Sequence, residues 1–515
     1  MINGGVEVNQ HQALADKATR SVMEVSKLST DDYWRLRYHV APPAQWMNDP
    51  NGFCYFKGEY HLFYQHHPYS STWDDMHWGH AKSVDLVHWN DLPVALAPSE
   101  AYDRDGCFSG SAIEKDGMLY LIYTGNIWTG SNRDTDLEQV QCLASSKDGI
   151  HFEKWIENPV IQKAPEGNIH PHHFRDPKVW KKDDHYYCVL GSRTQEHVGQ
   201  ILLYRSNNLM NWEFIGISAQ GSGKETDGFM WECPDLFLLE GQDVLVMSPQ
   251  GMKPDGNKYH NLHQAGYMLG KLNYVTGKFE HGPFEMLDYG FDFYAPQTME
   301  DGQGRRILIG WMAMWESLMP EQARHWAGAM TLPRQLFLEN GRIRCRPIPE
   351  LAKLRGGITA YDNVDVTGEL HLDGLSGDCY EMDIRIDLSE AVHAGIKLRV
   401  NEAMNEQTVL LFNREENTVT LDRNLSGKGP GGIRKAPVDL SNGILRLQLF
   451  MDRSSVEVFI QDGEKVMTAR IYPDEKSTGI SFFAAGSMKL VRLCKWDLNK
   501  SVGTAEPDGM IGSGN

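Results

Sequence analysis

Short apolar strands recur along the first two thirds of the chain, and their spacing predicts the fold. Residues 53–56 and 60–65 are aromatic-rich runs separated by Lys57-Gly58-Glu59, a pattern typical of a β-hairpin. Strands like the second run return at intervals of about sixty residues, at 119–125, 186–191, 244–248 and 306–311. Five copies of one apolar strand indicate five similar β-sheet units.

A second, partly polar motif follows the same period. The pattern Ser-x-Asp-Leu-x-x-Trp at 83–89 returns in altered form at 146–152 and 206–212, with a weaker copy at 271–279. Two signatures with one period favour a five-bladed β-propeller. The alternative is a plain β-sandwich in which the strand spacing is coincidental.

The chain divides into four segments by composition. Residues 1–38 are polar and include a predicted helix at 10–28, which indicates an N-terminal helical extension. Residues 39–345 form the predicted propeller. After a change of composition near 347–350, alternating strands predict a β-sandwich over 350–500, and the Gly-rich, polar residues 501–515 predict a flexible tail. The predicted fold class is all-β, a five-bladed β-propeller followed by a C-terminal β-sandwich.

Charge and hydropathy exclude several classes of partner and compartment. The formal net charge of −19 argues against nucleic acid or an anionic membrane surface as a partner. No run of about 18 apolar residues predicts a membrane span, and the N-terminal segment lacks the apolar centre of a signal peptide. The eight cysteines are scattered without CxxC spacing, which favours free thiols in a reducing compartment. We therefore expect a cytoplasmic protein.

Three acidic residues precede the repeating strands in polar, aromatic surroundings. They are Asp49 in the first blade, Asp176 in the third and Glu232 in the fourth. Equivalent positions of successive blades meet at one mouth of a propeller, so these carboxyl groups are predicted to share a pocket. Glycosidic bond cleavage needs one ionised and one protonated carboxyl group, and neighbouring anions raise the pKa of one of them. Taken singly, each acid is better explained by a structural role in a turn, but three acids at matching blade positions favour a shared site.

Two histidine runs, at 66–67 and 170–173, raise the question of a metal site. Neither run has a Cys or acidic partner at a spacing typical of zinc. We expect solvated or hydroxyl-binding histidines and no metal or other cofactor.

The motifs around these acids closely resemble glycoside hydrolase family 32, the β-fructofuranosidases that include invertases and sucrose-6-phosphate hydrolases. The matching segments are WMNDPNG (46–52), HLFYQ (61–65), HWGHAKSVDLVHW (77–89), FSGS (108–111), FRDP (174–177), WECPD (231–235) and SSVEVFI (454–460). They cover both predicted domains. The resemblance implies a five-bladed propeller with a β-sandwich, in agreement with the repeat count.

The resemblance also implies roles for individual residues. Asp49 would be the nucleophile, Glu232 the general acid and base, and Asp176 the residue that stabilises the transition state. The reaction would retain configuration, with the carboxyl groups of Asp49 and Glu232 roughly 5–5.5 Å apart. The residues expected to bind the fructosyl unit are Trp46, Met47, Asn48, Gln65, Trp73, Phe108, Ser109, Arg175 and Trp311.

The implied activity is release of terminal β-D-fructofuranosyl units from sucrose, sucrose-6-phosphate or short fructo-oligosaccharides. A fructosyltransferase with the same three acids is an alternative, and a catalytically inactive fructan-binding propeller is a second one. His67-Pro68 departs from the Asn-Pro of many family members, which leaves the preference beyond fructose open. Arg104, Arg133, Arg193 and His263 lie in predicted rim loops and are candidates for binding a phosphorylated leaving group. The sandwich and the N-terminal segment are both candidate surfaces for a homodimer.

Overall fold

The computed structural model describes residues 10–503, and all but one of the long elements are strands. The helix α1 (Gln10–Ser29) packs Ala15, Ala18 and Val22 toward the first blade. Among the described residues, no helix is long and apolar enough to cross a membrane. Among the described residues of the N-terminal extension predicted over 1–38, residues 10–29 are helical and residues 30–38 are irregular.

Five antiparallel sheets form the propeller, and each is built from consecutive hairpins. The first blade contains β1 (Gln45–Phe56), β2 (Glu59–His67), β3 (His77–Ser83) and β4 (Trp89–Leu96). The second contains β5 (Cys107–Lys115), β6 (Met118–Trp128), β7 (Leu137–Ser146) and β8 (Glu153–Lys154). The third contains β9 (Phe174–Lys182), β10 (His185–Arg193), β11 (Gly199–Ser206) and β12 (Trp212–Gln220).

The last two blades complete the ring. The fourth contains β13 (Met230–Leu239), β14 (Gln242–Gln250), β15 (Gly266–Leu272), β16 (Phe279–His281) and β17 (Glu285–Met286). The fifth contains β18 (Tyr294–Glu300), β19 (Arg306–Trp311), β21 (Arg334–Glu339) and β22 (Arg342–Pro347), while β20 (Trp326–Ala327) pairs in parallel with β1. Two 3-10 helices, Pro320–Arg324 and Pro349–Leu354, lie in the connections. The predicted five-bladed propeller is confirmed.

The sandwich follows the second 3-10 helix and encloses its own apolar core. Its strands are β23 (Arg355–Leu370), β24 (Cys379–Val400), β25 (Gln407–Asn413), β26 (Thr418–Leu425), β27 (Ile433–Pro437), β28 (Ile444–Asp452), β29 (Ser455–Ile460), β30 (Lys465–Arg470) and β31 (Gly479–Leu498). A separate apolar cluster packs propeller residues such as Leu332 against Phe450 and Phe459 of the sandwich. The predicted sandwich is also confirmed.

The C-terminal segment differs from the flexible tail predicted over 501–515. Ser501 is buried, and β32 (Val502–Gly503) pairs in parallel with Trp89 and Asn90 of the first blade. Residues 504–515 of that prediction lie outside the described residues.

The polar repeat is a loop that caps the third strand of a blade. Asp85 Oδ1 accepts hydrogen bonds from the backbone N–H groups of Val87 and His88, and Asp148 and Asn208 form the same pair of bonds in the next two blades. In the weak fourth copy, Asn273 accepts from the backbone of residues 275 and 276. The short Asp or Asn side chain thus replaces a backbone acceptor in each turn, which explains why the motif recurs.

The hairpin predicted at 53–65 is present, with Phe56 opposite Glu59. Its central residues, Lys57 and Gly58, both have positive φ, 49° and 87°, as a two-residue type I′ turn requires. The run Asn48-Asp49-Pro50-Asn51-Gly52 consists of residues that favour turns, but it is not a turn between strands. It lies inside β1, where two irregularities in register interrupt the pairing with β2.

Candidate active site

Each of the three candidate acids lies on the innermost strand of its blade. Asp49 is on β1, Asp176 on β9 and Glu232 on β13. The inner strands of adjacent blades contact one another in a ring, so their equivalent positions converge. All three side chains are largely buried: Asp49 and Asp176 are 8% and 7% exposed, and the Glu232 side chain is 14% exposed.

A bulge at the same level of every inner strand turns these side chains inward. The register shifts between Phe108 and Gly110 in β5, after Glu232 in β13 and after Tyr294 in β18, with matching shifts in β1 and β9. Asp176, Cys233 and Ala295 have positive φ at this level, which is unusual for residues with a side chain. Bulges redirect side chains at functional sites, and here they do so around one axis.

Asp49 is held by polar side chains from two blades. Asn48 Nδ2 donates to Asp49 Oδ1 over 3.0 Å, and Ser109 Oγ donates to Asp49 Oδ2 over 2.9 Å. Asn48 is itself fixed by Trp46, whose Nε1 donates to Asn48 Oδ1 over 2.7 Å. The structure therefore brings the predicted residues Trp46, Asn48 and Ser109 together around Asp49.

Cys233 connects the two aspartates. Its Sγ lies 3.7 Å from Asp49 Oδ2 and 3.6 Å from Asp176 Oδ2, and its backbone N–H donates to Asp176 Oδ2 over 2.9 Å. This contact was not predicted, because Cys233 meets Asp49 and Asp176 across three blades and no sequence spacing signals it.

Glu232 is surrounded by hydrogen-bond donors. Arg175 donates through Nε and Nη2 to Glu232 Oε1 over 3.0 and 2.7 Å. Gln250 Nε2 and Tyr294 Oη donate to Oε2 over 2.7 and 2.6 Å. Tyr294 and Gln250 were not predicted to contact an acid. Tyr294 opens the inner strand of the fifth blade, and this position is the signal that could have identified it.

The three carboxyl groups have different proton affinities. Burial, reinforced by the charge of Glu232, raises the pKa of Asp49 to about 6 and that of Asp176 to about 7. Burial also disfavours the charge of Glu232, but the Arg175 charge and the bonds from Tyr294 and Arg175 outweigh it, so the pKa of Glu232 lies below its ordinary value. In the free site a bound proton is therefore more stable on Asp176 or Asp49 than on Glu232.

Aromatic side chains form one wall beside the acids. Trp73 packs edge-on against Phe108, Trp128 and Trp315, and Trp46 stacks on Trp315 at 6.2 Å between ring centroids. The predicted residues Trp73 and Phe108 are partly exposed in this wall, whereas Trp128 and Trp315 were missed.

Three other predicted binding residues are more deeply placed. Gln65 is 2% exposed and donates to the carbonyl of Cys107. Trp311 is fully buried behind Trp46, with ring centroids 5.9 Å apart. Met47 is fully buried in the apolar cluster shared with Phe53 and the sandwich, because its side chain points away from the side that bears Asn48. Gln65 and Trp311 thus pack behind the residues that line the site, whereas Met47 lies in the apolar core and does not reach the site.

The four candidate rim residues separate into different environments. Arg104 is exposed and pairs with Asp105, and Arg133 lies over the rings of Trp73 and Trp128. Arg193 is 2% exposed and pairs with Asp134. His263 packs against Tyr294 at 5.7 Å between ring centroids. Within residues 10–503, no group of three or more His, Cys, Asp or Glu side chains is arranged to hold a metal ion.

Two sequence models of one family match the chain. Residues 39–347 match the glycosyl hydrolases family 32 N-terminal domain, and residues 350–497 match the glycosyl hydrolases family 32 C-terminal domain. The chain is 44% identical over 483 residues to a sucrose-6-phosphate hydrolase of Zymomonas mobilis, covering 91% of this chain and 93% of the relative. It is 42% identical over 468 residues to a raffinose invertase of Escherichia coli, covering 90% and 95%.

Solved structures agree with the sequence matches. A GH32 β-fructofuranosidase of Bombyx mori, as a mutant in complex with sucrose, superposes with a TM-score of 0.83 at 34% identity, covering 96% of this chain and all of the other. A sucrose-6-phosphate hydrolase of Lactobacillus gasseri gives 0.84 at 29% identity, covering 94% and 96%. The chain belongs to glycoside hydrolase family 32, and it is a glycosidase of the β-fructofuranosidase type.

Proposed function

We propose that the protein hydrolyses the terminal β-D-fructofuranosyl bond of sucrose or a sucrose derivative with retention, through a covalent fructosyl-enzyme intermediate. Asp49 is the nucleophile, Glu232 the general acid and then the base, and Asp176 the stabilising residue. The observation that supports this proposal most directly is the convergence of three buried carboxyl groups from three blades, two of them bridged by Cys233.

The hydrogen bonds support a different role for each acid. Asp49 receives two side-chain hydrogen bonds, from Asn48 and Ser109, which fix the direction of its carboxylate. Glu232 accepts hydrogen bonds from Tyr294, Gln250 and Arg175, which fix its carboxyl group and favour the ionised form that acts as the base. Asp176 is anchored through one oxygen to the backbone of Cys233, leaving the other for substrate hydroxyl groups.

The protonation of the free site has a consequence for the reaction. Glycosidic cleavage by retention begins with the nucleophile ionised and the acid protonated. In the free site the pKa of Asp49 is raised and that of Glu232 is lowered, which is the reverse order. The reactive form is then the state in which the cluster's proton lies on Glu232. Because the three groups interact, the apparent pKa values belong to the cluster as a whole.

The substrate class follows from the relatives and from the site. The matched relatives carry the names sucrose-6-phosphate hydrolase and raffinose invertase, and one solved neighbour was crystallised with sucrose. The aromatic wall beside Asp49 offers apolar faces to a sugar ring, while Asp176 and Arg175 offer polar contacts to its hydroxyl groups. We therefore propose sucrose, sucrose-6-phosphate or short fructo-oligosaccharides as substrates.

We also propose that the protein is cytoplasmic, and the state of its cysteines supports this location. All eight cysteines are free thiols, and six of them are buried. Free thiols are typical of a reducing compartment.

The test is fructose release by the purified enzyme and by Asp49→Asn and Glu232→Gln. Both substitutions preserve side-chain size, and we expect each to lower kcat on sucrose by at least about 10³-fold while the melting temperature stays within a few degrees. Accumulation of a fructosyl adduct on Asp49, detected by mass spectrometry after rapid quenching, would support the covalent step. Near-native turnover by either variant would refute the assignment, and fructosyl transfer to sucrose in place of water would favour the transferase.

A further inference from the structure

A group of basic side chains surrounds the third-blade side of the mouth. It consists of His170, His172, His173, His197 and Arg193, which we name the blade-three basic cluster. The ring centroid of His170 lies 4.8 Å from that of His173, 5.8 Å from that of His172 and 6.1 Å from that of His197. This concentration of cationic and imidazole groups occurs in a chain with a net charge of −19.

Hydrogen bonds connect the cluster to the catalytic acid. Arg175 Nη1 donates to His173 Nδ1 over 3.0 Å, and the same guanidinium donates to Glu232 Oε1. His173 Nε2 donates to the carbonyl of Asp134 over 2.7 Å, so this ring is neutral and fully bonded. The cluster therefore begins one side chain away from Arg175, on the side of the site that bears Glu232.

The remaining members have donor capacity that the described protein does not use. Arg193 is 2% exposed, and within residues 10–503 its Nε has no hydrogen-bond partner. His170 Nδ1 accepts from the backbone N–H of His172, which leaves His170 Nε2 as a donor. His172 is partly exposed and His197 is exposed. Burial and the positive charge of Arg193 lower the pKa of His170 to about 4, an effect that a nearby anion would reverse.

The acidic side chain of Asp134 contacts the cluster directly. Asp134, from the loop between β6 and β7, pairs with Arg193 and lies 3.5 Å from His173 Nε2. The Asp134 side chain is 55% exposed. Glu196 is exposed, and hydrogen bonds with Asn168 and Thr194 lower its pKa. The cluster remains rich in donors after these contacts.

We propose that the blade-three basic cluster binds a phosphate monoester carried by the leaving sugar. This inference rests on the proposed function, because Glu232 protonates the leaving oxygen and so places the leaving sugar on its own side of the site. Imidazole and guanidinium donors suit a phosphate dianion, and hydrogen bonds between charged groups are the strong ones. The cluster is then a specificity site that distinguishes phosphorylated from unphosphorylated sucrose.

The test compares kcat/KM for sucrose 6-phosphate and sucrose in the full-length enzyme and in the double variant His172→Gln, His197→Gln. We expect the wild-type enzyme to prefer sucrose 6-phosphate at least ten-fold. The double variant should lose about ten-fold of that preference through KM, because each lost charged hydrogen bond weakens phosphate binding. His371→Gln, an exposed histidine of the sandwich, is the matched control and should leave the preference unchanged.

Inhibition by products separates this site from a general anion site. Glucose 6-phosphate should inhibit the wild-type enzyme more strongly than glucose or inorganic phosphate, and the double variant should lose this difference. Equal inhibition by inorganic phosphate and glucose 6-phosphate, an unchanged preference in the double variant, or equal losses on both substrates would each overturn the proposal. If no fructoside is cleaved at all, the proposed function fails. In that case calorimetry tests the phosphate site by itself. Tighter binding of glucose 6-phosphate to the wild-type enzyme than to the double variant would support the site, and equal affinities would overturn it.

Discussion

The sulfur of Cys233 lies between two carboxylates from different blades, 3.7 Å from Asp49 Oδ2 and 3.6 Å from Asp176 Oδ2. A thiol is a weak donor, so it stabilises the ionised form of these acids only slightly. Cys233→Ser supplies a stronger donor and should lower the pKa of Asp49, whereas Cys233→Ala removes the donor and should raise it. We expect the alkaline limb of kcat/KM to move to lower pH in the serine variant and to higher pH in the alanine variant. Shifts in the same direction would contradict this account.

The pH profile of the wild-type enzyme tests the reversed protonation. Below about pH 6 to 7 the acid cluster retains a proton, because burial raises the pKa of Asp49 to about 6 and of Asp176 to about 7. Above this range the proton is lost and Glu232 can no longer act as an acid. We expect kcat/KM for sucrose to fall tenfold per pH unit on this side, in measurements from pH 4 to 8.5 at constant ionic strength. A plateau that extends to pH 8.5 would exclude the cluster as the source of the proton.

Tyr294 is expected to control the acid limb of the same profile. Its Oη donates to Glu232 Oε2 over 2.6 Å, which favours the ionised carboxylate. Tyr294→Phe should raise the pKa of Glu232 and move the acid limb to higher pH by about one to two units, since a hydrogen bond to a charged group contributes about 1.5–3 kcal/mol and one pKa unit corresponds to about 1.4 kcal/mol. Tyr204→Phe is the matched control, because the buried Tyr204 hydroxyl has no hydrogen-bond partner within residues 10–503. An equal shift in both variants would show that the effect is not local.

A buried ionic network joins the propeller to the sandwich and should dominate the stability of their contact. His39 Nδ1 lies 2.8 Å from Asp452 and His39 Nε2 lies 3.0 Å from Glu457, and these side chains are fully buried. Asp452→Asn removes one of the two carboxylates that pair with His39 in this fully buried network and should lower the free energy of unfolding by about 3–5 kcal/mol. Asp462→Asn, which breaks a pair with both side chains about half exposed, should change it by less than about 1 kcal/mol. Chemical denaturation measures both.

The same network predicts the pH dependence of stability. Burial opposes the charge of His39, but the bonds to Asp452 and Glu457 outweigh it and raise its pKa above the ordinary value. A raised pKa contributes stability that is complete below about pH 6.5 and is lost as pH rises through the pKa in the folded state. His39→Gln should therefore lower the melting temperature more at pH 6 than at pH 9. A difference that grows toward pH 9 would contradict the sign.

The sequence predicts this fold because the repeat has a local physical cause. Each blade needs an apolar second strand and a turn in which Asp85, Asp148, Asn208 or Asn273 accepts backbone N–H groups, and both features are visible as residue types. The fifth blade lacks this turn and is recognised from its strand alone. Strand Val502–Gly503 was missed because a two-residue strand in a polar, Gly-rich segment carries no periodicity.

The same repeat predicts the three acids of the site but not the residues that contact them. Asp49, Asp176 and Glu232 are at equivalent positions of their strands, which the repeat makes apparent. The contacts of Tyr294, Gln250 and Cys233 depend instead on bulges and positive φ angles in strands far apart in sequence. Met47 was expected at the site from the family resemblance, but alternation along β1 turns its side chain to the opposite face, into the apolar core.

The first blade is completed by two late parts of the chain, β20 on one side and β32 on the other. During synthesis the four hairpin strands of this blade leave the ribosome before those of the other blades, but both outer edges of its sheet stay unpaired until residues 326–327 and 502–503 follow. Exposed strand edges promote association between chains, so the nascent protein passes through a long interval in which blade one is vulnerable to aggregation. Expression at low temperature or with chaperones that shield strand edges should improve the yield of folded enzyme.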